Sequence, residues 1–155
     1  MSLENLIETD VLVIGGGIAG CFAAIKAREQ GLNVTIVDKA YAGKSGASVA
    51  AGMGYMVFNP EWGLDLDACM NAINIKGEYI NNREWTEIIF KDSWTTYQDL
   101  ISWGVEFPVE GAESIKFVKD YPPFGVVRIV RRKTAPFARK QAEKRGVRIM
   151  DNHDY

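Results

Sequence analysis

The chain has 155 residues, a length that suits one hydrophobic core and is short for two domains. Hydrophobic residues make up 47%, charged residues make up 25%, and the net charge is −2, as is typical of a globular protein. The sequence has no apolar run near the roughly 20 residues that span a bilayer, no secretory signal pattern, and no CxxC pair. We therefore expect a cytoplasmic protein without a membrane span.

The charges are unevenly distributed along the chain. Residues 128–155 carry nine of the 18 basic side chains but only three of the 20 acidic ones. Aromatic side chains that could stack on bases are not interleaved with these positive charges. We interpret the basic cluster as a solvated helix face with an adjoining loop, and we expect no nucleic acid as a partner.

Residues 10–39 carry the most informative pattern, DVLVIGGGIAGCFAAIKAREQGLNVTIVDK. The apolar run Val11–Ile14 predicts a strand that leads directly into a glycine-rich turn. A helix is predicted from Ile18 to Gln30, with its inner face formed by Ile18, Cys21, Phe22 and Ile25 and with Gly31 after its end. A second apolar strand, Val34–Val37, ends on an acid, Asp38.

This strand, turn, helix and strand predict a site for an adenine dinucleotide. Gly15 permits the tight turn, Gly17 lets the backbone approach a pyrophosphate, and Gly20 lets the helix pack closely on the sheet. The start of the helix offers N–H groups and a positive dipole end to the phosphates. Asp38 is placed to accept a hydrogen bond from a ribose 2′-hydroxyl. The predicted contacts in this segment are Gly15, Gly17, Ile18, Ala19, Gly20 and Asp38.

The segment 40–63 is rich in small residues and predicts a loop with little charge. Small side chains and accessible N–H groups would let this loop lie along an extended cofactor, which favours FAD over NAD. The predicted cofactor contacts here are Lys39, Ala40, Ser45, Gly46, Ser48, Ala50, Ala51, Gly52, Met53 and Gly54.

The rest of the chain predicts mixed elements. A helix is expected from Leu66 to about Tyr79, and a second helix is capped by Asn82 and reaches Trp103. The packed face of the second helix is predicted to comprise Trp85, Ile88, Ile89, Trp94, Tyr97 and Ile101. Residues 105–130 predict short strands or irregular structure. Thr134 is predicted to cap a helix that runs to about Arg145, and Val147–Met150 to add a third parallel strand.

Three segments, GGGIAG, VDK and KSGASVAAGMG, resemble the flavoprotein subunits of the succinate dehydrogenase and fumarate reductase family. That family includes L-aspartate oxidase and the adenylylsulfate reductase α subunit. DLISWGVEF and TAPFARKQAEKRGVRIM are similar to later segments of the family. The resemblance implies an α/β fold, with a Rossmann-like parallel sheet that binds FAD and a helical insertion. It also implies the N-terminal part of a larger flavoprotein, divided at 1–63, 64–133 and 134–155.

The resemblance implies hydride transfer between flavin N5 and a small unsaturated or dicarboxylic acid. It also implies that the electron-transfer partner of the full-length protein is an iron–sulfur subunit. Members with covalent flavin carry a His in the segment that here reads SGASVAA, so we expect noncovalent FAD. We assign no catalytic residue and no metal site. Arg128 matches a substrate-facing loop of some relatives, and His153 is interpreted as part of an exposed tail.

Two alternatives remain open. One is a different FAD- or NAD-dependent enzyme with the same Rossmann unit, against which the lack of a redox CxxxxC pair argues. The other is a nucleotide-binding module without catalysis. A three-stranded parallel sheet would leave exposed edges, so we expect weak cofactor binding and a tendency to self-associate.

Overall fold

The computed structural model describes residues 6–50, 54–105, 115–117, 125–128 and 134–152. The chain divides into two compact units. The first combines Met1–Ala51 with Arg131–Tyr155, and the second is the intervening Gly52–Val130. The division predicted from the sequence, with boundaries after residues 63 and 133, differs from these two units and stays a prediction.

The first unit contains a three-stranded parallel sheet. Its strands are β1 (Val11–Ile14), β2 (Val34–Val37) and β6 (Arg148–Met150), in the order β1-β2-β6. Val11 pairs with Val34, and Thr35 pairs with Arg148. The predicted parallel sheet and its third strand are therefore confirmed.

Burial differs sharply between the central strand and β1. In β2, Val34, Thr35 and Ile36 are all buried, as expected for a parallel strand covered on both faces. In β1 the exposure alternates along the strand, and Leu12 and Ile14 are 55% and 64% exposed. Apolar side chains are therefore exposed along β1 in the first unit.

Helix α1 (Ile18–Glu29) crosses from β1 to β2 and buries the face that the sequence predicts. Cys21 and Ile25 are fully buried, together with Ala24. The helix ends as expected, because Gly31 has a φ of +83° and its N–H donates to the Arg28 carbonyl at 2.9 Å. A short helix, α2 (Ala47–Ala50), follows the loop after β2.

Helix α5 (Thr134–Lys144) packs beside α1 in the same unit. The guanidinium of Arg28 donates from Nε to the Arg145 carbonyl at 3.0 Å, and Arg145 pairs with Glu29 at 3.3 Å. Thr134 was predicted as the cap, but it is the first helical residue and its side chain is buried. The prediction was wrong by one position because a buried threonine at the helix start looks the same in sequence as an exposed cap.

The second unit contains an antiparallel sheet in the order β3-β5-β4. The strands are β3 (Gly54–Val57), β4 (Ile115–Phe117) and β5 (Gly125–Arg128), which confirms the short strands predicted after residue 105. The prediction that residues 40–63 form only a loop was wrong. They include α2, β3 and a 3-10 helix at Pro60–Trp62, and β3 is stabilised by pairing with the distant β5.

Two helices, α3 (Leu66–Lys76) and α4 (Arg83–Ser102), pack together in the second unit. The Asp65 carboxylate caps α3 by accepting the Ala68 N–H at 2.7 Å, and Asn82 caps α4 as predicted. The predicted continuation of α3 to Tyr79 was wrong. Glu78 and Tyr79 have φ of 51° and 62°, so the backbone leaves the helical conformation.

The predicted packed face of α4 was largely wrong. Trp85, Ile88, Ile89 and Ile101 are between 41% and 64% exposed, whereas Tyr97 is buried and Trp94 packs on it. The side chains that are buried instead are Thr86, Phe90, Ser93, Tyr97 and Leu100.

Polar residues can occupy this buried face because each has a hydrogen-bond partner nearby. The Ser93 hydroxyl donates to the Phe90 carbonyl at 2.7 Å and accepts the Phe58 N–H at 2.8 Å. The Thr86 hydroxyl donates to the Asn82 carbonyl at 2.9 Å. Phe58 and Phe90 meet edge to face in the main core of this unit, with ring centroids 6.2 Å apart.

In the part of the chain that the structure describes, no helix combines the length and the apolar character needed to cross a membrane. The longest of these helices, α4, has charged side chains along its exposed face, including Glu87 and Lys91, which form an ion pair.

The cap of α4 gives the first testable prediction. The Asn82 Oδ1 accepts the Trp85 N–H at 3.0 Å, so Asn82→Ala leaves this N–H without its cap. We expect the free energy of unfolding to fall by about 1 kcal/mol in urea titrations. Asn82→Ser, which keeps a good capping group, should stay within a few tenths of a kcal/mol of the wild type. Equal losses for both variants would contradict the capping role.

Candidate functional site

The turn between β1 and α1 has the backbone geometry that only glycine adopts easily. Gly15 has a φ of +96°, and its N–H donates to the Val37 carbonyl at the end of β2 at 2.8 Å. The chain therefore reverses immediately after β1 and remains tied to the neighbouring strand.

Two further glycines of the turn are required by close contacts. A Cβ on Gly20 would lie 2.0 Å from the Gly15 carbonyl oxygen and 3.3 Å from Val13 Cγ1. A Cβ on Gly16 would lie 2.2 Å from the Cβ of Ala42. Gly20 was predicted from the sequence, and Gly16 was missed. The signal was available, since GGGIAG has one glycine more than the GxGxxG pattern needs.

Gly17 stands at the start of α1 and differs from its neighbours. Among the described residues, no atom lies within 4 Å of a Cβ placed there, so the space in front of this residue is open with respect to that part of the chain. Gly17 is the N-cap, no side chain caps the helix, and the first turn has no acidic residue. Because the first N–H groups of a helix have no partner within it, this end of α1 is suited to an anion.

Asp38 lies at the carboxyl end of β2 with its side chain directed at the turn. Its Oδ2 accepts the Gly16 N–H at 2.7 Å, while Oδ1 accepts the Ala40 N–H at 2.8 Å and the Ser45 hydroxyl at 3.3 Å. The residue is only 7% exposed. Asp38 therefore has a role within the protein itself, and its contact with a ribose stays a prediction.

The environment of Asp38 stabilises its charged form. Burial acts to raise the pKa of this carboxyl, but the hydrogen bonds from Ala40, Gly16 and Ser45 outweigh it and hold the pKa below its ordinary value. The nearby thiol of Cys21 is instead held in its neutral form, because burial raises its pKa to about 11. Cys21 is therefore a packing residue at neutral pH.

The loop after β2 lies against the glycine turn. The Gly43 N–H donates to the Gly16 carbonyl at 2.7 Å, and the Ser45 hydroxyl donates to the Tyr41 carbonyl at 2.8 Å. Ala42 is fully buried between the turn and α5. Ala42 was not predicted from the sequence, since an alanine in a loop carries no distinctive pattern.

The structure brings together one group of the predicted cofactor contacts. The first unit holds Gly15, Gly17, Ile18, Ala19, Gly20, Asp38, Lys39, Ala40, Ser45 and Gly46 around the end of β2 and the start of α1, and also Ser48 and Ala50 in α2. Ala51, Gly52 and Met53 lie outside the described residues. Gly54 is the first residue of β3 in the second unit. The cofactor contacts of all these residues remain predictions.

Catalytic and metal-binding groups were not assigned from the sequence. Within the described ranges, no cluster of three or more His, Cys, Asp or Glu could hold a metal ion. Arg128 is the last residue of β5. His153 lies outside the described residues, so its interpretation as an exposed tail stays a prediction.

Comparison with known proteins adds a family match. A family model described as an FAD binding domain matches residues 10–151. An uncharacterized FAD-dependent oxidoreductase of Methanocaldococcus jannaschii is 38% identical over 105 residues, which are 65% of this chain and 18% of that protein. A fumarate reductase (CoM/CoB) subunit from Methanothermobacter marburgensis is 32% identical over 128 residues, which are 79% of this chain and 22% of that protein.

The fold also resembles a solved structure. The quinol fumarate reductase FrdA of E. coli superimposes with a TM-score of 0.76 at 15% identity, over 94% of this chain and 26% of that one. At this identity the likeness concerns the fold alone. The chain spans about a fifth of the length of the two curated relatives described above.

The close contact at Gly16 gives a second prediction. In Gly16→Ala, the new methyl group would collide with Ala42, so we expect a loss of about 1–3 kcal/mol in the free energy of unfolding. Gly17→Ala is the matched control, because its methyl group enters open space and costs less than about 1 kcal/mol through the weaker helix cap. Chemical denaturation of both variants without cofactor tests the difference. Equal losses would contradict it.

The environment of Asp38 gives a third prediction, on pH. Because its pKa is lowered in the folded state, ionised Asp38 stabilises the fold fully above its unfolded pKa of about 3.9. This contribution is lost as the pH falls through the lower folded pKa. The difference in unfolding free energy between the wild type and Asp38→Asn should therefore shrink below about pH 4. Urea titrations between pH 7 and pH 2.5 measure it, and a constant difference would contradict the assignment.

Proposed function

Because the chain belongs to the FAD binding domain family, which the sequence motifs predicted, we propose that it holds the adenine dinucleotide part of a noncovalently bound FAD. We propose further that the FAD serves a fumarate reductase-like oxidoreductase. The observation that carries this proposal is the open space at Gly17, where the start of α1 faces outward without a capping side chain.

The residues present fit a pyrophosphate at this turn. The N–H groups of Ile18, Ala19 and Gly20 belong to the first turn of α1, where they have no partner within the helix. The first turn of α1 has no acidic side chain that could neutralise the positive end of the helix dipole. The missing Cβ of Gly17 leaves room for phosphate oxygens to approach the backbone.

Asp38 is the residue that we propose for the ribose of the adenine dinucleotide. Its Oδ2 accepts one protein N–H, and a carboxylate oxygen can accept two, so it retains capacity for a ribose hydroxyl. The carboxylate would repel a 2′-phosphate, which disfavours NADP. We assign Lys39 and Ala40 to the adenosine end, and the remaining predicted contacts, from Ser45 to Gly54, to the flavin end.

The noncovalent attachment rests on the sequence of the small-residue segment. Residues 45–51 read SGASVAA and contain no histidine, and the one histidine of the chain is His153. The segment therefore offers no imidazole for a covalent bond to the flavin.

FAD, when bound, supplies hydride transfer, while the protein binds and orients it. The name of the Methanothermobacter marburgensis relative supports a small dicarboxylate or unsaturated acid as the substrate class. An iron–sulfur subunit is the proposed electron-transfer partner of the full-length protein. The sequence has two cysteines, Cys21 and Cys69, and no CxxC pattern, a cysteine usage that suits a reducing compartment, so we propose a cytoplasmic location.

The fourth prediction tests cofactor binding directly. FAD titrated into the 155-residue chain should show saturable quenching of flavin fluorescence, and acid precipitation should release all of the flavin into the supernatant. Gly17→Ala should weaken FAD binding at least about tenfold, because its methyl group would occupy the phosphate approach.

Two controls make the result specific. Gly31→Asn changes the other end of α1, where a Cβ meets no atom of the described ranges within 4 Å and where asparagine tolerates the positive φ. This variant should bind FAD as the wild type does. NAD carries the same adenosine and pyrophosphate groups but no flavin, so it should bind more weakly than FAD. Binding of NAD alone would favour a nicotinamide-dependent enzyme, flavin retained on the precipitate would contradict noncovalent attachment, and failure to bind either nucleotide would contradict the proposal.

A further inference from the structure

An ion pair in the first unit contacts the loop that lies against the glycine turn. Arg139 lies in α5, and Asp151 follows directly after β6. The guanidinium Nη1 lies 2.8 Å from Asp151 Oδ2 and 3.0 Å from Oδ1. The two side chains are 21% and 19% exposed, so the pair is largely shielded from solvent.

Both members of the pair also bind the backbone of Ala42. Asp151 Oδ1 accepts the Ala42 N–H at 2.8 Å, and Arg139 Nη1 donates to the Ala42 carbonyl at 3.0 Å. The donor and the acceptor of one fully buried loop residue are thus both engaged by the same ion pair. This arrangement determines where Ala42 lies and how its peptide groups are oriented.

Ala42 and the next residue are the part of the loop in contact with the glycine turn. The Cβ of Ala42 lies 2.2 Å from the position that a Cβ on Gly16 would take, and Gly43 donates to the Gly16 carbonyl at 2.7 Å. On its other side, Gly43 packs against α5, where an added Cβ would lie 2.8 Å from the Ala135 carbonyl oxygen. The contacts therefore run from Arg139 and Asp151 through Ala42 and Gly43 to the turn.

We infer that Arg139 and Asp151 are positioning residues for dinucleotide binding, which act by holding Ala42 and Gly43 against Gly16. This inference rests on the proposed function. Neither side chain needs to touch the nucleotide. Their effect is to fix the Gly16 backbone, and with it the adjoining start of α1, in the conformation that leaves the space at Gly17 open.

Arg139 contacts its partners through two nitrogens of the guanidinium. A single guanidinium nitrogen serves both oxygens of Asp151 and the Ala42 carbonyl, while Nε binds Glu143 Oε1 at 2.8 Å. A lysine side chain has one nitrogen, which cannot occupy both the Nη1 and the Nε positions, so Arg139→Lys cannot reproduce the full set of contacts. The contact with Glu143 involves no loop atom, so Glu143 provides a control on the same guanidinium.

The fifth prediction compares three variants of the 155-residue chain. Asp151→Asn and Arg139→Lys weaken the pair, whereas Glu143→Gln removes only the outer contact. ADP, which carries the adenosine and pyrophosphate groups of FAD, is titrated by calorimetry. We expect the Kd for ADP to rise about tenfold in the first two variants, equal to about 1.4 kcal/mol, and to stay within about twofold in Glu143→Gln.

A second readout separates positioning from general stability. Hydrogen exchange of the Ala42 and Gly43 amides without ligand should become at least about tenfold faster in Asp151→Asn and Arg139→Lys. The amides of Thr35 and Ile36 in β2 should exchange as in the wild type. The variant that combines Asp151→Asn and Arg139→Lys should bind ADP with the same affinity as whichever single variant has the higher Kd. The reason is that both side chains act through the same loop residue.

The outcomes distinguish this inference from the proposed function. Wild-type protein that binds neither FAD nor ADP overturns the proposed function. Variants that bind ADP as tightly as the wild type, or loop amides whose exchange is unchanged, overturn the positioning role. Faster exchange throughout the first unit, or failure of both variants to fold, shows that the pair maintains the whole unit and also overturns it.

Discussion

The candidate site depends on the hydrogen bonds that the buried carboxylate of Asp38 accepts. This carboxylate accepts N–H groups from Gly16 and Ala40 and the hydroxyl of Ser45, and so connects the glycine turn, the end of β2 and the following loop. Hydrogen bonds to a charged acceptor are stronger than neutral ones, and each buried donor left unsatisfied costs about 1–3 kcal/mol. The turn is therefore held in shape before any ligand arrives, which reduces the ordering that binding would require.

The βαβ unit could be predicted from sequence because its determinants are local. The strand, the glycine turn and the helix lie within about 30 consecutive residues. Gly15 and Gly31 have the positive φ that glycine adopts easily, and Gly20 lies at a close contact that leaves no room for a side chain. The segment 40–63 could not be predicted in the same way. Strand β3 depends on pairing with β5, and no feature of the small-residue stretch indicates this partner.

The errors in α4 and the omission of Arg139 have a common physical origin. A polar residue can be buried when a nearby group satisfies it, as Ser93 is by Phe90 and Phe58. Arg139 was interpreted as part of a solvated basic face, yet Asp151 and the loop bind it from more distant parts of the chain. The spacing of apolar residues describes one helix or strand at a time. It contains no information about which hydrogen-bond or ion-pair partner the tertiary fold supplies to a polar side chain.

The first unit is assembled from two stretches of chain, and the second unit lies between them in the sequence. The bond from the Ala42 N–H to Asp151 spans 109 residues of sequence, and that from Arg28 to the Arg145 carbonyl spans 117. Closure entropy grows only with the logarithm of the enclosed length, by about 0.6 kcal/mol for each doubling. The segment between the two stretches can therefore change in length at little thermodynamic cost to the sheet of the first unit.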